Sequence, residues 1–125
     1  MTLDARSERN LKGVHSDLVR VTLRAFDAAP GTFIITEGLR TLARQKQLLA
    51  AGASTTLRSR HLTGHAIDVA ALVGGKVRWD WPLYARIAVL MKDAANDLNV
   101  PLEWGGDWKR LKDGPHFQLP WKVYP

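Results

Sequence analysis

The chain has 125 residues, 46% hydrophobic and 24% charged, with a formal net charge of +6 and no cysteine. That length suits one domain with its own core, and so apolar a composition excludes a disordered chain. Without cysteine there are no disulfides or thiolate metal sites, and the positive balance predicts attraction to polyanions, whether nucleic acid, anionic lipid or an acidic cell-wall polymer.

The N-terminal stretch MTLDARSERNLKGVHSDLV interrupts its apolar residues with acids, unlike the apolar run of a secretory signal. No segment approaches the ~20 apolar residues of a membrane span, so no membrane insertion is expected. The chain is expected in the cytoplasm until something releases it.

From Ser7 to Ala28, Leu11, Val14, Leu18, Val21 and Ala25 step by three and four, which predicts one helix with Leu23 and Phe26 widening its apolar stripe. Pro30-Gly31 stops it. His15 lies off the stripe and reads as a solvated surface residue. Thr32 to Thr36, β-branched and aromatic between Pro-Gly and Gly38, predicts a buried strand. A second helix is expected from about Thr41 to Ala51, closed by Gly52, and AGASTTLRSR then reads as a loop.

HAIDVAAL alternates and then turns apolar, as a strand entering a core does, and Gly74-Gly75 predicts a hairpin with KVRW. Pro82 opens a third helix in which Tyr84, Ile87, Ala88, Met91, Ala95 and Leu98 share a side. The remainder, LEWGGDWKRLKDGPHFQLPW, reads as strand, glycine-rich loop and strand, its tryptophans available for core or cleft wall. The sum is a single α+β domain over residues 1–125, a small antiparallel sheet with three packed helices.

Two stretches carry chemistry. In SRHLTGHAIDV, a turn at Gly64 places Ala66 and Asp68 on one face of the following strand and His65 and Ile67 on the other. His61 at the mouth of that turn and Asp68 on the strand then converge. Reading His61 and His65 as a helical pair is weaker, because the flanking glutamate of such pairs is absent and Thr63-Gly64 disfavours helix. In DGPHFQL, Pro115 fixes the direction in which His116 enters its strand and holds Asp113 on a rigid bend behind it.

Two imidazoles and one carboxylate suit a catalytic zinc ion with an open fourth position, and Asp113 is the candidate for moving the protons that amide hydrolysis requires. A buried His–Asp hydrogen bond explains either stretch equally well on spacing alone.

These stretches resemble the zinc peptidases that cut bacterial cell-wall peptides, the D-alanyl-D-alanine carboxypeptidase and dipeptidase family with its phage endolysin branch. The pattern S-x-H-x-x-G-x-A-x-D is complete as Ser59, His61, Gly64, Ala66 and Asp68; the acid three before a final histidine is Asp113 before His116; and G-x-R-T-x-x-x-Q is met by Gly38, Arg40, Thr41 and Gln45. The resemblance implies His61, Asp68 and His116 as zinc ligands and Asp113 as base. It implies Arg40 as a residue that binds substrate or steadies the oxyanion, for which a salt bridge to Glu37 or Asp113 is the plain alternative. Ser59 and Trp104 join Arg40 as candidate substrate contacts. Arg58 and Arg60 are either attractors for the carboxylates of the stem peptide or solvated loop charges.

The short chain and its WGGDW and DGPHF wording look most like the endolysin branch that cleaves between L-alanine and D-glutamate of peptidoglycan. A monomeric enzyme without a separate wall-binding domain, kept in the cytoplasm until lysis, is the expectation. Its rivals are a D,D-carboxypeptidase or dipeptidase, a wall-binding relative without turnover, and a basic nucleic-acid-binding module. Scattered Lys and Arg speak against the last, so no nucleic acid is expected as partner.

Overall fold

The structure, a computed structural model, describes residues 2–125. Four helices, α1 (Ala5–Leu11), α2 (Ser16–Ala28), α3 (Leu42–Ala50) and α4 (Trp81–Asp97), accompany five strands: β1 (Phe33–Glu37), β2 (Ala66–Val73), β3 (Lys76–Arg78), β4 (Glu103–Trp104) and β5 (His116–Gln118). All strand pairs are antiparallel, in the order β1-β2-β5-β4, with β3 pairing the far end of β2. The α+β class is as expected.

The helix expected from Ser7 to Ala28 is two helices. Gly13 breaks it at φ +81, and the side chain of His15 caps α2 by accepting from the Asp17 amide at 3.0 Å. His15 is therefore a helix cap and not a free surface residue. The apolar stripe survives the break, with Leu11, Val14, Leu18, Val21, Ala25 and Phe26 all buried, whereas Leu23 is exposed. The core joins this stripe to Tyr84, Ile87, Ala88 and Met91 of α4 and to the sheet, each fully buried large apolar side chain contributing roughly 1.5–3 kcal/mol.

Alternation decides what the sheet shows to each side. Ile67, Val69 and Ala71 of β2, Phe33 and Ile35 of β1 and Phe117 of β5 belong to the core, which leaves Ala66, Asp68, His116 and Gln118 on the opposite face. Register then sets Glu37 beside Asp68 and Asp68 beside His116, and in the next row Ala66 beside Gln118 and Gln118 beside Glu103. By simple alternation Glu37 would share the core side with Phe33 and Ile35. A register irregularity between Ile35 and Glu37 re-aims it toward Asp68.

Candidate metal centre

Four elements deliver the site. His61 stands on a single 3-10 turn, Arg60–Thr63, whose first free amide is capped by Ser59: its Oγ accepts from the His61 amide at 3.1 Å. Gly64 closes that turn with left-handed backbone at φ +74, as the motif predicted. Asp68 and His116 are cross-strand partners on β2 and β5. Gly38, just past β1, has its carbonyl turned to His61; a Cβ there would come within 1.9 Å of the Asn10 carbonyl oxygen, so only glycine permits this passage beneath α1.

One ligand atom each from His61, Asp68 and His116 lies within 4.8 Å of the others. His61 Nε2 and His116 Nδ1 lie 3.3 and 3.1 Å from the same carboxylate oxygen, Asp68 Oδ1. The remaining ring nitrogens fix the tautomers. His61 Nδ1 is 2.8 Å from the Gly38 carbonyl, which can only accept, so Nδ1 carries the proton and Nε2 is a bare lone pair. Gln118 Nε2 donates to Glu103 at 3.2 Å, which leaves Gln118 Oε1 to accept from His116 Nε2 at 2.7 Å and bares His116 Nδ1.

Two lone pairs and an anionic oxygen thus face one another in a buried place. Such an arrangement is repulsive unless a cation stands between them. His61 Nε2 is the one buried side-chain polar atom without a hydrogen-bond partner among the described residues, because its lone pair faces an acceptor. The donor set of two imidazole nitrogens and a carboxylate oxygen is that of an open zinc site, so these residues fit a divalent metal. The same demand for positive charge governs titration. Burial alone raises the Asp68 pKa, but the two imidazoles, which donate to it when a proton takes the place of the cation, override this and hold the carboxyl well below the usual range. Burial depresses the His116 pKa, yet the hydrogen bond and charge that Asp68 offers to a second proton on the ring raise it overall, so the site draws in positive charge.

The triad lies in an open cleft of about 700 Å³ that Asp113, Arg40, Ser59 and Trp108 also line. Asp113 is held by its backbone: its amide donates to Gly105 at 3.0 Å and its carbonyl accepts from His116 at 3.2 Å. Burial, then the charge of Asp68, raise its pKa. Arg40 makes the salt bridge to Glu37, with Nε and one terminal nitrogen at 2.7 and 2.6 Å from the two carboxylate oxygens, while its other terminal nitrogen donates to Gln45 at 2.6 Å. The Glu37-facing nitrogen also lies 3.7 Å from Asp68 Oδ2.

Two expectations change, those for Trp104 and Arg60. Trp104 is only 8% exposed, stacks on Phe117 and donates its indole N–H to the Gly114 carbonyl at 2.7 Å, so it is core and lies outside the cleft lining. The cleft is lined instead by Trp121 and by Trp108, whose ring centroid is 5.2 Å from that of His116. Arg60 is neither a solvated charge nor a free attractor: it is 3% exposed, donates to the carbonyls of Leu119 and Tyr124, and stacks on Trp121 at 4.1 Å. His65 stays outside the triad, on the far side of its turn with His15 and Tyr124.

Sequence reasoning missed the supporting residues Gln118, Glu103 and the Gly38 carbonyl. Gln118 was within reach of the strand rule, since it shares a face with His116 two residues earlier; Glu103 depended on register.

Comparison with known proteins agrees with this geometry. The family model described as phage L-alanyl-D-glutamate peptidase matches residues 1–119. The L-alanyl-D-glutamate peptidase of Escherichia phage T5 is 34% identical over 111 residues, covering 86% of this chain and 81% of that protein. The peptidoglycan L-alanyl-D-glutamate endopeptidase CwlK of Bacillus subtilis is 31% identical over 105 residues, covering 69% of this chain and 59% of that protein. Among solved structures, the L-Ala D-Glu endopeptidase ChiX of Serratia marcescens superposes with a TM-score of 0.91 at 56% identity, covering 97% of this chain and 91% of that one. With the motif residues gathered into one cleft and the family match running almost from end to end, this chain belongs to the phage L-alanyl-D-glutamate peptidase family.

Proposed function

We propose that this chain is a zinc-dependent peptidoglycan endopeptidase that hydrolyses the L-alanyl-D-glutamate bond of the stem peptide, acting as a single catalytic domain over residues 1–125. The observation that carries the reading is the convergence of His61 Nε2, Asp68 Oδ1 and His116 Nδ1 at the floor of an open cleft, in a chain of this family. His61, Asp68 and His116 hold the ion. When bound, zinc supplies Lewis acidity to the scissile carbonyl and to the attacking water.

The chain's own groups do the rest. Asp113 accepts a proton from the water as it attacks the carbonyl carbon and delivers it to the amine nitrogen as the C–N bond breaks; a carboxyl with a raised pKa suits both halves of that task. Arg40 holds Glu37 and Gln45 and stands behind Asp68, with N–H hydrogens left over to steady the developing oxyanion. Ser59 and Gly38 position His61, and Gln118 positions His116.

Among the described residues no helix is long and apolar enough to cross a membrane. Release to the wall at host lysis, from a monomer that waits in the cytoplasm, follows from this reading, with the net charge of +6 supplying attraction to the acidic wall.

Digestion of purified sacculi by the zinc-loaded chain, followed by mass analysis, tests the proposal. New N-terminal D-glutamate is the expected product. Released D-alanine instead would assign the chain to the carboxypeptidase and dipeptidase reading.

A further inference from the structure

Four cationic side chains line the cleft: Arg40, Arg58, Arg60 and Lys112. Their availability differs sharply. Arg40 is held by Glu37 and Gln45 with its spare N–H hydrogens assigned to the oxyanion, and Arg60 is committed to the carbonyls of Leu119 and Tyr124. Lys112 reaches only the Gly106 carbonyl, at 3.4 Å. The guanidinium of Arg58 is exposed and has no carboxylate or carbonyl partner among the described residues; it lies 5.4 Å from the Trp121 ring, which Arg60 approaches more closely at 4.1 Å.

Arg58 nevertheless stands on an anchored backbone. Its amide donates to Thr56 Oγ1 at 2.9 Å. Gln45, fully buried on α3, donates to the Thr56 carbonyl at 2.6 Å and to Ser54 Oγ at 2.8 Å, while its own oxygen accepts from Arg40. The cleft wall from Ser54 to Arg58 is thereby tied to the same arginine that stands behind Asp68. Only two residues, Ser59 and Arg60, separate Arg58 from His61, a reach of at most about 11 Å along the chain. A guanidinium beside an indole on such a wall matches a carboxylate with two parallel donors, which the single ammonium of a lysine does not.

The substrate supplies the complement. The D-glutamate side of the scissile bond keeps a free carboxylate on the carbon that bears the scissile nitrogen, about 4 Å or less from the reacting carbonyl carbon by covalent geometry alone. We propose that Arg58 is the specificity residue that reads this carboxylate, pairing with it as the bond is seated over the triad; this rests on the endopeptidase reading above.

The test uses the zinc-loaded full chain and two stem peptides that differ in one group, the free carboxylate of D-glutamate or the carboxamide of D-isoglutamine. The wild type is expected to prefer the carboxylate by about tenfold or more in kcat/KM, the size of one charge-assisted pair. Arg58→Gln should bring that ratio to within about twofold of unity, Arg58→Lys should restore part of it, and Lys112→Gln should keep it. Zinc content and circular dichroism of each variant show whether the site and fold are intact. An Arg58→Gln variant that keeps the wild-type ratio, a Lys112→Gln variant that loses it, or a wild type that cleaves both peptides equally overturns the proposal alone. A wild type that cleaves neither overturns the endopeptidase reading together with it.

Discussion

Two pairs of histidines lie in this fold at nearly the same spacing. The rings of His61 and His116 are 5.1 Å apart, and those of His15 and His65 are 5.4 Å apart. Only the first pair has the makings of a metal centre. Its outer nitrogens are occupied by Gly38 and Gln118, so both inner lone pairs meet at Asp68. In the second pair, His15 spends Nδ1 on the α2 cap and His65 spends Nδ1 on Thr63, while the nearby Asp17 carboxylate is taken by Tyr124 and Arg20. Closeness of imidazoles therefore does not make a ligand set; what the remaining nitrogens bond to does.

The largest effect should come from breaking the first pair. His61→Ala is expected to drop bound zinc to background and abolish hydrolysis, whereas His15→Ala and His65→Ala keep stoichiometric zinc; elemental analysis after dialysis reads this directly. A chelator should reproduce the loss in the wild type, with recovery on adding zinc back. Next comes Asp113→Ala, which leaves the three ligands in place: zinc content and fold should persist while kcat falls by roughly 10²–10⁴. Unchanged kcat would remove Asp113 from the mechanism.

A smaller effect isolates the lone-pair argument itself. Gln118→Leu removes the acceptor that pins the His116 tautomer, and zinc affinity measured by competition with a chelating dye should weaken by about 10–100-fold. Unaltered affinity would mean that Asp68 alone orients the ring. The smallest effect belongs to the second pair. Burial, Arg60 and His15 lower the His65 pKa, so below its ordinary value of 6.5 the unfolded chain binds a proton that the folded chain refuses. Stability should therefore fall as pH drops through that value, and His65→Gln should lose less than the wild type. Urea unfolding of both proteins from about pH 7 to about pH 5 measures the difference.

Much of the fold was legible because periodicity is local. The faces of α4 and β2, the hairpin at Gly74-Gly75 and the turn at Gly64 follow from residue spacing and need no partner to be inferred. The first helix misled because its apolar stripe continues through Gly13, whose left-handed backbone brings it against Leu39 and the turn at Gly64. Such a break is set by what lies across the gap. Arg60 misled for a related reason: a charged residue in a polar loop reads as solvated until the carbonyls of Leu119 and Tyr124 are found waiting for it.

The sequence by itself determined the chemistry on offer: two imidazoles, a strand carboxylate and a second acid on a proline-stiffened bend, in the order of the family motif. Tertiary structure alone decided which nitrogen of each imidazole faces the metal position, which arginines are spent and which tryptophans reach the cleft. The reason is physical. Residue type and spacing fix what a side chain is able to donate or accept, but strand register, the irregularity before Glu37 and the passage at Gly38 choose its partner, and the partner sets where the proton sits.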